Sequence, residues 1–395
     1  MRTFLAPTKS ASCAAIVLAT LQVLAACNGG DASSPETTSV LTVNQTIATS
    51  TAPLPSSALV TVEQVGELLF FDKTLSEPAG QSCASCHAPH AGFADPNHAS
   101  PTSEGAVGGR FGKRNAPTAS YAAFVPPRRL VTGPNGVTDY AGGLFLDGRV
   151  DTLEDQAQAP LLNNLEMNNP DKASVVNKVR AASYAANFQA VFGVSAFDNI
   201  DNAFAQIAQA IAVFERSQTL TPFTAKFDAV QRGLATFTAA EQNGRQLFNS
   251  KAQCNVCHAT PRGSEVFSNF VYHNIGAPAS PGNPFLYLDS NLNPQGVAFV
   301  DLGLGAVVDD VRENGKFRTP SLRNVALTAP YMHNGALATL TDVVNFYNRR
   351  DIDRIAPEVD QNVFNGAAIG NLGLTATEIQ DLIAFLNTLT DGYIR

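Results

Sequence analysis

Two short stretches decide how this chain is read: Ser82-Cys83-Ala84-Ser85-Cys86-His87 and Cys254-Asn255-Val256-Cys257-His258. Each contains C-x-x-C-H, the spacing of covalent c-type haem attachment. Two thioethers, from Cys83 and Cys86 or from Cys254 and Cys257, anchor one porphyrin edge. The adjacent His87 or His258 then reaches the iron from one side. The other two cysteines, Cys13 and Cys27, lie near the N-terminus. Two copies of the motif with no spare Cys favour haem over a redox pair, a zinc knuckle or a disulfide.

Working outward, the two sites sit in matching contexts. Gly66-Glu67-Leu68-Leu69-Phe70 precedes the first and Gly244-Arg245-Gln246-Leu247-Phe248 the second, so the chain carries an internal repeat. Thr61–Phe71 and Thr238–Phe248 both read as helices with one apolar face and a Thr N-cap. Near the C-terminus Thr375 and Glu378 form a capping box, followed by an apolar stripe of Leu382, Ile383, Phe385, Leu386 and Leu389. Ile200, Phe204, Ile207, Ile211 and Phe214 mark another amphipathic helix, read as core packing. No strand-like alternation of any length is present. The expected fold class is mainly α, with two cytochrome c-like haem domains and long loops. The N-terminal haem domain is expected over residues 59–235 and the C-terminal one over 236–395.

The N-terminus reads as an address. Arg2 and Lys9 give a positive start, and residues 11–26 an apolar segment ending Leu24-Ala25-Ala26-Cys27. That ending resembles a bacterial lipobox, so residues 1–26 are expected to be a lipoprotein signal peptide and Cys27 the lipidated residue. Asn28 leans towards outer-membrane sorting. Residues 27–58, rich in Ser, Thr, Ala, Pro and Gly, are expected to be a flexible tether. The expected location is the periplasm, lipid-anchored, where haem attachment of this kind also belongs.

Composition narrows the rest. Of 395 residues 45% are hydrophobic, enough for substantial cores, and the formal charge of −8 argues against nucleic acid. Beyond the first thirty positions no apolar run is long enough to cross a bilayer. Trp is absent, which excludes any mechanism that needs an indole.

From about Val62 onward the chain resembles the bacterial di-haem cytochrome c peroxidases and their MauG-type relatives. The resemblance rests on the two haem motifs, Arg114-Asn115-Ala116-Pro117-Thr118, Leu146-Asp147-Gly148-Arg149 with Leu153-Glu154-Asp155-Gln156-Ala157, and Phe317-Arg318-Thr319-Pro320-Ser321-Leu322-Arg323-Asn324-Val325. It is closed by Ala329-Pro330-Tyr331-Met332-His333-Asn334-Gly335. The resemblance implies two covalent haems c, with peroxide met at the N-terminal haem and electrons handled at the C-terminal one.

It also implies site residues. Glu154 matches the family's distal carboxylate and is the candidate general acid–base, which heterolysis of an O–O bond requires. The family's distal amide is absent, with Leu144 in its place. Arg149 is expected to pair with a haem propionate or with Asp147. The family's capping His is also missing: the matching segment, Gly105-Ala106-Val107-Gly108-Gly109, contains none, which implies a first iron open without activation. His90 and His98 read as solvent-facing loop residues. For the second iron, Tyr347 stands fourteen positions after His333, where MauG-type proteins place a Tyr ligand. Met332 is the alternative, and the two differ in chemistry, because Met raises a haem potential and a phenolate lowers it. Asn115, Thr328 and Pro330 match a family calcium site of oxygen donors.

Two function classes follow. The first is a peroxide-using oxidoreductase, partnered by hydrogen peroxide and by a small periplasmic electron donor or a protein substrate. The second is an electron-transfer di-haem cytochrome without peroxide turnover. A haem-based sensor is a weaker third.

Overall fold

The computed structural model describes residues 60–133, 136–259 and 265–394, so the expected signal peptide, Cys27 and the whole tether lie outside them. Residues 57–395 form one compact unit. Its α-helices are α1 (Val62–Phe71), α2 (Cys83–Cys86), α3 (Leu153–Leu162), α4 (Lys172–Ala181), α5 (Ala185–Phe192) and α6 (Ile200–Glu215). They continue with α7 (Lys226–Gln231), α8 (Ala239–Asn249), α9 (Leu304–Val308), α10 (Leu340–Arg349) and α11 (Ala376–Asn387). Among the described residues strands are confined to two antiparallel pairs. β1 (Arg129–Thr132) meets β2 (Thr138–Ala141), with Arg129 opposite Ala141. β3 (Tyr272–His273) meets β4 (Phe317–Arg318), with Tyr272 opposite Arg318. None of the described helices is long and apolar enough to cross a membrane.

The helix starts follow local chemistry. Thr61, Thr238 and Thr375 each accept a hydrogen bond from the backbone of the third helical residue, and Gln64, Glu241 and Glu378 reach back to complete capping boxes. Such a cap contributes about 1 kcal/mol. The apolar stripe read over Ile200 to Phe214 is the inner face of α6, where Phe204, Ile207, Ile211 and Phe214 are all buried.

Two large hydrophobic cores result, with a small third cluster of Leu144, Leu153 and Ala212. The first gathers α1, α4 and α6 around Leu69, Phe70, Val176, Phe188 and Ile207. The second gathers α8, α10 and α11 around Phe227, Phe248, Phe267, Leu382 and Phe385. The repeat seen in the sequence is a repeated joint between helices. A Cβ at Gly66 would stand 1.9 Å from the Ala210 carbonyl oxygen of α6, and one at Gly244 would stand 1.9 Å from that of Asp381 in α11. One turn on, Phe70 packs on Phe214 with ring centroids 5.2 Å apart, and Phe248 on Phe385 at 5.4 Å. Only glycine lets backbones approach this closely. Each aromatic pair then adds about 1 kcal/mol beyond its buried area.

Between the cores lies a buried ion pair. Arg323 holds Asp228 through two bonds of 2.7 and 2.8 Å, and its guanidinium lies over the rings of Phe223 and Tyr121 at 4.8 and 5.3 Å. The Tyr121 hydroxyl donates to Asp391 at 2.8 Å, which ties the first half of the chain to its last turn.

Candidate functional site

A cavity of about 570 Å³ is lined by Cys83, Cys86 and His87 together with Cys254, Cys257 and His258. Each attachment segment is one tight turn. The His87 amide bonds back to the Cys83 carbonyl at 2.9 Å, and the His258 amide to the Cys254 carbonyl at 2.8 Å. Burial pushes the four thiols up, to about 12 for Cys83, Cys86 and Cys254 and about 11 for Cys257. None of the four is in a disulfide.

The two imidazoles are prepared alike. His87 Nδ1 is 3.2 Å from the Phe93 carbonyl oxygen and His258 Nδ1 is 2.9 Å from that of Phe267. A carbonyl only accepts, so the proton sits on Nδ1 and Nε2 keeps its lone pair, the arrangement that a metal-ligating His needs. Burial pulls both pKa values down, that of His258 to about 4, which keeps the rings neutral. Phe93 and Phe267 turn their carbonyls inward from left-handed backbone, with φ of 58° and 55°. That conformation is costly for an aromatic residue, and its recurrence at matching places marks a shared constraint.

The rest of the wall fits an amphipathic ring carrying carboxylates. It is predominantly apolar, and it contains Arg318, a buried guanidinium whose Nε has no hydrogen-bond partner. Its one bond is a 3.5 Å contact to the Thr319 carbonyl. A buried cation without a counter-charge costs several kcal/mol. Among the described residues no carboxylate bonds it, and a haem propionate would supply that charge.

Several residues singled out in the sequence meet at this cavity. Tyr347, on α10, is partly buried and lines it. Burial and then the neighbouring Cys257 and Cys254 push its phenol well above the usual value, so it stands beside the second attachment pair. Met332 lines the same cavity, with φ of 73°. Asn115, Thr328 and Pro330 all line the cavity. The Asn115 amide donates to the Pro101 carbonyl at 3.1 Å, which leaves Oδ1 as a free oxygen donor. Arg149 bonds Asp147 at 2.8 Å and stacks over Phe145 at 3.6 Å. Leu144, standing at the place of the family amide, is a buried part of the lining.

Glu154 stands at the surface, paired with Arg216. It opens α3, as its motif implies, but its carboxylate points outward onto Arg216 and is not part of the lining. The hydrogen bonds from Arg216 hold its pKa below the usual carboxylate range. His90 and His98 are exposed.

Among the polar residues of the lining that were not singled out in the sequence, three stand out. Glu215 is buried at the end of α6, Glu166 accepts from Asn163 at 2.8 Å, and His273 has a buried Nε2 without a partner. Glu215 had a signal: it falls four residues after Ile211, on the buried stripe of α6.

Residues 61–236 match the family model of the di-haem cytochrome c peroxidases. The chain is 39% identical to the methylamine utilization protein MauG of Paracoccus denitrificans over 350 residues, 83% of this chain and 88% of that protein. It is 31% identical to the cytochrome-c peroxidase IdrP1 of Denitromonas iodatirespirans over 86% of this chain and 84% of that one. Among solved structures, it resembles the di-haem peroxidase BthA of Burkholderia thailandensis. The TM-score is 0.72 at 31% identity, covering 84% of this chain and 86% of that one.

Proposed function

Because the chain belongs to the di-haem cytochrome c peroxidase and MauG family, an oxidoreductase family that acts on peroxide with two haems c, we propose a division of labour between its two attachment sites. The Cys83–His87 site reacts with hydrogen peroxide, and the Cys254–His258 site passes electrons to it. Support comes above all from one observation: two imidazoles, each with Nδ1 tied to a backbone carbonyl, line a single cavity. The haems, when bound, supply the redox-active iron. The chain's own residues do the rest. His87 and His258 bind from one side, Cys83, Cys86, Cys254 and Cys257 fix the ring edges, and Arg318 holds a propionate. Leu144 and Leu153 keep the first chamber apolar, and Glu154 exchanges protons with solvent.

Tyr347 is the proposed second-iron ligand, which makes the chemistry MauG-like. Its phenol lines the cavity beside Cys254 and Cys257. Met332 is the alternative. A calcium ion held by Asn115 Oδ1 with the Thr328 and Pro330 carbonyls completes the proposed cofactor set, since uncharged oxygen donors suit it. The partner is a small redox protein or a protein substrate. The N-terminal Leu24-Ala25-Ala26-Cys27 supports export and a lipid anchor at Cys27, with the outer membrane favoured by Asn28. The proposed location is therefore the periplasm.

Optical and EPR spectra of the purified protein before and after peroxide test the assignment. One five-coordinate and one six-coordinate haem, with a spectral change on adding peroxide, are expected. Two six-coordinate haems inert to peroxide would mark an electron-transfer cytochrome instead.

A further inference from the structure

Helix α6 turns an apolar face to the first core: Phe204, Ile207, Ala208 and Ile211 are each no more than 1% exposed. One turn after Ile211, the same face carries Glu215, itself only 6% exposed. Its Oε2 is sealed from solvent without a hydrogen-bond partner. Ile211 and Glu215 both line the cavity, and Cys83 stands close enough to feel the Glu215 charge. The next residue, Arg216, leaves the interior and meets Glu154 at the surface with bonds of 2.6 and 2.8 Å.

A Leu at 215 would continue the stripe without any desolvation cost. An ionised carboxylate there costs several kcal/mol, because nothing bonds to it. The form that the site tolerates is the neutral acid, which can both donate and accept a hydrogen bond. We propose that Glu215 is a proton-carrying carboxyl of the first haem chamber, standing between the cavity and the Glu154–Arg216 pair at the surface. This rests on the peroxide reading above. Reduction of H2O2 to two waters breaks the O–O bond and consumes two electrons, delivered by the redox partner, and two protons. Glu215 gives up its carboxyl proton to a departing oxygen and recovers one from solvent on the Glu154 side.

The groups facing it agree with this role. Burial is the main influence and raises the Glu215 pKa to about 8. Arg216 of its own helix works against that rise, and Glu154 of α3 adds to it. Cys83 of α2 faces it across the cavity edge and is uncharged as a thioether.

The test uses the haem-loaded protein with Glu215→Gln and Glu215→Asp. Infrared spectra at neutral pH read the C=O stretch of a protonated carboxyl, and stopped-flow absorbance reads the peroxide reaction against pH. Glu215→Gln is expected to keep both haems and normal reduction by dithionite. It should lose the carboxyl band and slow the peroxide reaction at least about tenfold, the lower range of what a proton-transferring side chain contributes. Glu215→Asp should restore a shifted band and part of the rate. A wild-type protein that reacts with peroxide but shows no protonated carboxyl overturns the proposal. So does a Glu215→Gln variant with unchanged rate and pH profile. Either result leaves the peroxide reading standing. A wild type inert to peroxide overturns that reading, and this proposal falls with it.

Discussion

Arg216 grips both oxygens of Glu154, Nη1 to Oε1 at 2.6 Å and Nη2 to Oε2 at 2.8 Å, so the first turn of α3 is pinned to the end of α6. The pair is more than one-third exposed on both sides, and a pair of that kind contributes little to stability. Its position matters more: it brings a carboxylate and a guanidinium to the surface directly beside the buried Glu215.

Glu154→Gln is therefore expected to lower peroxide turnover at least about tenfold while changing stability by less than about 1 kcal/mol. Steady-state peroxide consumption, haem content and a melting curve, taken together, check this. Equal loss of turnover and of haem would mean that the residue is structural.

Ligation of the second iron separates two single substitutions. With Tyr347 as ligand, the oxidised protein lacks the weak far-red band of Met–Fe(III). Tyr347→Phe then shifts the spectrum of the C-terminal haem, and Met332→Leu leaves it unchanged. The reverse pattern would assign Met332.

The repeated glycine joint makes a paired prediction. Gly66→Ala and Gly244→Ala each place a methyl 1.9 Å from a carbonyl oxygen of the crossing helix. Each should cost about 2 kcal/mol or more, since backbone cannot yield as a side-chain tip can. Chemical denaturation of the two variants reads the cost, and a loss below about 0.5 kcal/mol in either would refute the close approach.

Acid stability should depend on Asp301. Burial alone would raise its pKa, but Arg114, bonded to it at 2.6 and 2.7 Å, holds it well below the usual carboxylate range. A carboxylate depressed in the folded state stabilises above its unfolded value, near 4, and loses that contribution as pH falls. Wild type should thus exceed Asp301→Asn in stability at neutral pH, and the two should converge as pH drops below about 4. Urea titrations at several pH values measure the gap. A gap that widens on acidification would reverse the sign.

What the sequence announced and what it hid differ by range of interaction. The Thr61, Thr238 and Thr375 caps and both C-x-x-C-H turns were legible because their partners lie within four residues. The left-handed Phe93 and Phe267, which aim the carbonyls at His87 and His258, were not: that backbone is imposed by tertiary packing. Glu154 was found by its motif, yet its grip on Arg216, 62 positions away, has no local signature. Glu215 could have been found, since a carboxyl on the apolar stripe of an amphipathic helix contradicts its neighbours.

The Arg323–Asp228 pair has a thermodynamic consequence for the whole molecule. Both side chains are at most 5% exposed, and aromatic rings from either side of residue 225 cover the guanidinium. Unfolding the first part alone would take the Tyr121 and Phe223 rings off the guanidinium, and unfolding the second alone would strip both rings and the Tyr121 hydroxyl of their partners. The halves should therefore unfold cooperatively, in a single calorimetric transition despite their two separate cores.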